Sequence, residues 1–162
     1  MPLAFDPLDP ATAEFWLRLG TAILCGGIIG LERQLRGKPA GIRTSILIVL
    51  GTQLFVGLGS SFQGERVDPT RVLAQVVTGI GFLGGGVILA REGAVVGVTS
   101  AAVIWVLAAI GSLIGLGHLL GSIVLTLVTV GLLIGVELLE SVFRRLRAGA
   151  TERELDRIDL EG

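Results

Sequence analysis

Apolar residues run through this chain in long blocks, and charged residues gather in the short gaps between them. Residues 93–136 contain no formally charged side chain. One membrane-crossing helix needs about 20 consecutive apolar residues, so this block holds two. Residues 44–64 and 72–90 are two further uncharged runs. Residues 15–31 form a shorter one, with Arg18 near its start. A long basic side chain there can snorkel to the interface while its stem stays in lipid. The pattern predicts five transmembrane helices, at about 14–32, 43–61, 70–90, 97–115 and 118–138.

Helices are the expected form. A strand in lipid leaves backbone groups unpaired unless it closes into a barrel, and barrel strands alternate in character residue by residue. The segment LLGSIVLTLVTVGLLIG does not alternate. The fold class is therefore all-α, a polytopic membrane helix bundle. Residues 1–140 form the five-helix domain and 141–162 a short charged tail.

Composition agrees with this. Across 162 residues the hydrophobic fraction is 51% and the charged fraction 17%, against about 25% charged in a soluble domain. Net charge is −1, which by itself says nothing about partners; no nucleic acid is expected. The placement of the basic residues says more. Arg33, Arg36, Lys38 and Arg43 lie between the first two spans, Arg91 lies between the third and fourth, and Arg144, Arg145, Arg147, Arg153 and Arg157 follow the fifth. In the loops, Arg66 and Arg71 fall on the other side of this arrangement. Basic residues near span ends mark the cytoplasmic face, so the N-terminus is expected outside and the C-terminus in the cytoplasm.

The N-terminal segment MPLAFDPLDPATAEF is acidic and proline-rich, unlike the basic start of a secretory signal. Cys25 is the sole cysteine. It reads as a small core residue, and it has no intramolecular disulfide partner.

The stretch TGIGFLGGG, residues 78–86, contains a literal G-x-G-x-x-G. A dinucleotide loop needs a preceding strand, a following helix and an acidic residue about twenty positions on. None of these is present. Glycines inside a membrane helix instead admit a neighbouring backbone. Gly26/Gly30, Gly81/Gly85, Gly111/Gly115, Gly117/Gly121 and Gly131/Gly135 all have this spacing. On the third helix Arg71, Gln75, Thr78, Phe82 and Gly85 share one stripe, beside a small-residue face of Ala74, Thr78, Gly81 and Gly85. The run Gly84-Gly85-Gly86 is a place for the helix to bend or unwind.

Ionisable groups at membrane depth are costly and face protein or a wet cavity. Glu32 and Arg33 end the first helix, and Arg43 opens the second after the break at Pro39 and Gly41, so a Glu32–Arg43 pair across the hairpin is expected. Asp68 before Pro69 reads as a helix N-cap. Arg71 then lies in the first turn, where the helix dipole disfavours a cation, and calls for Asp68, Glu65 or an anion as partner. Asp68, Arg71 and Gln75 form the expected mouth of a polar site. Gln53 and Thr52 read as interhelical glue. His118 stands alone, so no metal site is expected. No nucleophile–base set is visible, so neither catalytic residues, cofactor nor enzymatic activity is expected.

Several motifs occur together in order: Gly30-Leu31-Glu32-Arg33-Gln34, Ala40-Gly41-Ile42-Arg43-Thr44, Asp68-Pro69 with Arg71, Ala74 through Gly86, and Thr99-Ser100-Ala101-Ala102 through Gly111. In these the chain resembles the MgtC/SapB family of bacterial inner-membrane proteins. The resemblance implies a five-helix module with an external N-terminus, and a link to survival in low magnesium and inside host phagocytes. It implies a regulator of other membrane proteins. The alternative, motivated by the break in the third helix and the lipid-averse charges, is a small oligomeric ion or solute channel or transporter with a polar site near Asp68, Arg71 and Gln75. Carried over by motif, the positions of interest are Glu32, Arg33, Arg43, Asp68, Arg71, Gln75, Thr78, Gly79, Gly81, Gly84, Gly85 and Gly86. Larger members carry a soluble domain after the fifth helix; about two dozen residues follow here, too few for a domain of that kind. The expected partners are the lipid bilayer, a second copy in a homodimer, other inner-membrane proteins and an ion ligand.

Overall fold

A computed structural model describes residues 9–61, 70–91 and 94–159, with side-chain surroundings for 9–61, 70–90 and 94–139. It contains five helices: α1 (Ala13–Leu35), α2 (Ile42–Ser61), α3 (Thr70–Gly85), α4 (Val98–Gly115) and α5 (Leu119–Asp159). Four of them carry stretches long and apolar enough to cross a membrane: α1, α2, α4 and the part of α5 from Leu119 to Leu139. The all-α membrane bundle read from the sequence is the fold observed.

Thr12 starts α1 by accepting a hydrogen bond from the Phe15 amide, the usual N-cap arrangement. Nearby, the Trp16 ring packs edge-on against Phe15 and donates to the Pro10 carbonyl at 2.9 Å. A half-exposed Trp tied down in this way suits a membrane–water boundary. The other end of α1 is closed by Gly37 at φ +63. The Gly37 amide donates to Gln34 and the Lys38 amide to Arg33, which is the Schellman pattern. The same device ends α4, with Gly117 at φ +85 and the His118 amide donating to Leu113.

Glycines set the packing of the bundle. A Cβ on Gly30 would lie 2.6 Å from the Ile42 Cα, and one on Gly26 would lie 2.8 Å from the Ile46 Cα. These contacts run in opposite senses along the two helices, so α1 and α2 are antiparallel and nearly touch backbone to backbone. Gly111 and Gly115 of α4 meet the Val49 and Gln53 carbonyls of α2 in the same fashion, at 2.7 and 2.8 Å from a built Cβ. The core lies where these three helices converge, on Ala22, Ile29, Val49, Leu107, Ile110 and Ile114, each essentially without exposed surface. Cys25 belongs to it and is free and buried. In a bilayer such contacts rest on close van der Waals packing, because lipid is as apolar as the helices.

The third span departs from expectation. Described from Thr70, α3 stops at Gly85 rather than continuing to residue 90. Glycine supports a helix poorly, and three in succession end it. The Val87 and Ile88 amides then bond three residues back, to Gly84 and Gly85, closing the last turn tightly. A short antiparallel hairpin follows, β1 (Leu89–Arg91) and β2 (Ala94–Val96), pairing Leu89 with Val96 and Ala90 with Val95. Gly97, at φ +93, turns the chain from β2 into α4.

The chain divides into two compact units, residues 1–127 and 128–162. The first holds α1 to α4 and the opening turns of α5. The second is the remainder of α5, which runs as one helix through the basic segment to Asp159.

Candidate functional site

The bundle has two ends, one holding Lys38 and the other Arg18 and Arg71. Each carries charge in a different arrangement.

At the Lys38 end, Glu32 and Arg33 are both buried. Glu32 Oε2 accepts from Arg33 Nε at 2.6 Å, and Oε1 accepts from Arg33 Nη2 at 3.1 Å. Arg36, one turn on, places its Nε 2.5 Å from Oε1. One carboxylate therefore lies between two guanidinium groups. This replaces the expected Glu32–Arg43 pair. Arg43 is exposed and has no carboxylate partner among the described residues. Residues 32 and 36 are neighbours on one helix face and need no hairpin to meet. Across the hairpin, Gln34 contributes instead: its Oε1 accepts from the Ile42 amide, the first of α2, at 3.4 Å.

At the opposite end, Arg18 does not snorkel outward. It is buried, paired with Glu14, and donates from Nη1 to the Gly115 carbonyl at 2.8 Å. That carbonyl belongs to the last turn of α4, where the helix dipole favours a cation.

Between α2 and α3 lies an open groove with a volume of about 1060 Å³. The two helices approach closely where Gly59 faces Val72, a Cβ on Gly59 falling 2.6 Å from Val72 Cγ2. Arg71, Gln75 and Gly79 line the groove from α3. Its remaining wall is mostly aliphatic and aromatic: Leu47, Ile48, Phe55, Leu58, Val76, Ile80 and Leu83, with Thr44 and Thr52 as further polar groups. Asp68, the other expected member of this mouth, falls outside the described residues, as does Glu65.

The small-residue face of α3 points elsewhere. Built Cβ atoms on Gly81 and Gly85 meet nothing within 4 Å among the described residues. Phe82 is 85% exposed, so this side of α3 packs on nothing among the described residues. The Thr78 hydroxyl donates back to the Ala74 carbonyl at 3.0 Å and is satisfied within its own helix. Gly84 alone faces inward, in ordinary contact with Ala101 of α4. Gly86 follows the helix end.

The candidate residues thus form no single cluster. Glu32 and Arg33 sit at one end of the bundle, Arg71 and Gln75 near the other, and the glycines line α3 between. Among the described residues no group of three or more His, Cys, Asp or Glu side chains is placed to hold a metal ion. Sequence reasoning passed over Arg36 and the Glu14–Arg18 pair, although both ion pairs have helical i, i+4 spacing. It also left Gln53 as a partnered group. Gln53 is 2% exposed, and its Oε1 has no hydrogen-bond partner among the described residues.

Taken together, these features define a glycine-packed helical membrane protein whose described ion pairs lie at the ends of the helices. The chain belongs to the MgtC family, whose model matches residues 19–142. It is 50% identical over 113 residues to the Escherichia coli K12 protein named "Putative magnesium transporter YhiD", covering 65% of this chain and 53% of that protein. It is 43% identical over 136 residues to protein MgtC of Brucella abortus, covering 82% of this chain and 56% of the relative. Protein MgtC of Salmonella typhimurium is 44% identical over 113 residues, covering 69% and 48%. The chain spans about half the length of these curated relatives. No solved structure matches it.

Proposed function

We propose that this chain is a multi-pass protein of the bacterial inner membrane that acts in magnesium homeostasis and stress or virulence adaptation by controlling other membrane proteins, without catalysing a reaction. The name carried by its Escherichia coli relative supports the link to magnesium. The basic residues of the sequence support an external N-terminus and a cytoplasmic 141–162 segment.

The observation that carries the regulatory reading is the uncovered face of α3. Ala74, Thr78, Gly81 and Gly85 form a small-residue stripe with exposed Phe82 beside it, and Cβ atoms built on Gly81 and Gly85 meet no neighbouring element among the described residues. In this bundle the inward-facing glycines, Gly26, Gly30, Gly111 and Gly115, each admit another backbone. A stripe with the same chemistry that faces outward is suited to a helix from another molecule. A second copy of this chain uses it in a homodimer, and a separate membrane protein uses it in regulation.

The competing reading is a small oligomeric channel or transporter with a polar site near Asp68, Arg71 and Gln75. The groove beside Arg71 and Gln75 supports it less well, since most of its wall is apolar. Photo-crosslinking from position 81 in cells grown in low magnesium separates the two. A discrete adduct with a second membrane protein is expected, and its loss in Gly85→Leu. Self-adducts alone, together with magnesium flux into proteoliposomes above empty vesicles, would favour transport instead.

A further inference from the structure

The groove between α2 and α3 lies on a different side of α3 from the small-residue face and has its own chemistry. One end is basic and polar, with Arg71 and Gln75. The rest is mostly apolar, along Phe55, Val76, Ile80 and Leu83, with Thr44 and Thr52 on the α2 side. From Arg71 to Leu83 the helix rises about 18 Å at 1.5 Å per residue. One leaflet of hydrocarbon is about 15 Å deep, half of a core of about 30 Å. A cation at one end of a leaflet-deep apolar channel matches an amphiphile with an anionic head.

Arg71 strengthens the match. It occupies the first described turn of α3, against the positive end of the helix dipole. Among the described residues no carboxylate pairs with it, whereas Arg18, Arg33 and Arg36 each contact a glutamate. An exposed guanidinium at a membrane boundary presents a fork of N–H donors that fits phosphate oxygens. We infer that the α2–α3 groove is a binding site for one anionic phospholipid, with its phosphate on Arg71 and an acyl chain lying along Val76, Ile80 and Leu83. The site depends neither on a protein partner at the small-residue face nor on any transport activity.

The test is retention of lipid by the full chain. The protein is extracted from vesicles that mix phosphatidylcholine with a minority of phosphatidylglycerol, and retained lipids are counted by native mass spectrometry. Wild type is expected to hold phosphatidylglycerol at about 5-fold above its share of the vesicle, the contribution of one basic side chain near an anionic surface. Arg71→Gln should bring that ratio to the vesicle composition. Lys38→Gln, which removes an exposed cation remote from the groove, should leave the enrichment intact. Gly79→Phe should lower retention of both lipids with helicity unchanged, because it fills the groove from a position with open space. Equal enrichment in Arg71→Gln, no enrichment in wild type, or unaltered retention in Gly79→Phe would each overturn the proposal. So would a protein dimer that forms only when lipid is absent, since a second copy would then occupy the groove.

Discussion

Arg18 of α1 donates a hydrogen bond to the carbonyl of Gly115 at the end of α4, 2.8 Å away and 97 residues distant in sequence. This contact ties the first helix to the last turn of the fourth. It also neutralises the Glu14 carboxylate beside it. A charged side chain that the sequence marks as a liability in lipid becomes a fastener once the helices converge. Arg18→Gln should destabilise the bundle by about 2 kcal/mol, the range for hydrogen bonds to charged groups. Denaturant titration in detergent would measure it, and an unchanged midpoint would show that the contact contributes nothing.

Glu32 serves two arginines. Glu32→Gln leaves Arg33 buried without a counter-charge, and breaking a buried pair from one side costs about 3–5 kcal/mol. Arg36→Gln should cost less, because Arg36 is 25% exposed and the Glu32 that remains keeps its buried pair with Arg33. The same titration ranks the two variants. Equal costs would contradict the burial argument.

Glycine substitutions should divide by neighbour rather than by motif. Gly30→Ala places a methyl group 2.6 Å from the Ile42 Cα, and forced overpacking costs about 1–3 kcal/mol. Gly79→Ala meets nothing and gains helix propensity, so it should be neutral or stabilising by up to about 1 kcal/mol. Thermal unfolding of the two variants beside wild type decides the matter.

Gly97 should tolerate no side chain. Its φ of +93 disfavours L-residues, and a Cβ would collide with the Val87 carbonyl. Gly97→Ala should open the turn between β2 and α4. Amide hydrogen exchange is expected to rise in residues 94–99 and to stay unchanged in α1.

Much of this architecture was legible in the chain. Uncharged runs marked α1, α2, α4 and the apolar part of α5 closely, because charge is excluded from lipid whatever the tertiary fold. The end of α3 was harder to see, since the apolar run continues through Leu89 and Ala90 and hydropathy cannot separate a helix from a short hairpin. Only Gly84-Gly85-Gly86 carried a signal. The small-residue face of α3 was visible from spacing, but spacing does not say whether a face points inward. Gly111 and Gly85 both sit in G-x-x-x-G spacing, yet one meets the α2 backbone and the other meets nothing among the described residues. Long-range pairing was illegible for the same reason. Nothing near Arg18 in the sequence indicates Gly115. The Glu32–Arg36 pair needed only helical spacing and was overlooked in favour of the hairpin partner Arg43.

The account rests on these helices crossing a bilayer with the Lys38 turn and the start of α3 on opposite sides. Cysteine accessibility in intact cells tests this most directly, with native Cys25 buried and silent. A membrane-impermeant thiol reagent should label Thr70→Cys from outside, and should label Lys38→Cys only after the membrane is opened. Labelling of both positions in intact cells, at equal rates, would contradict it.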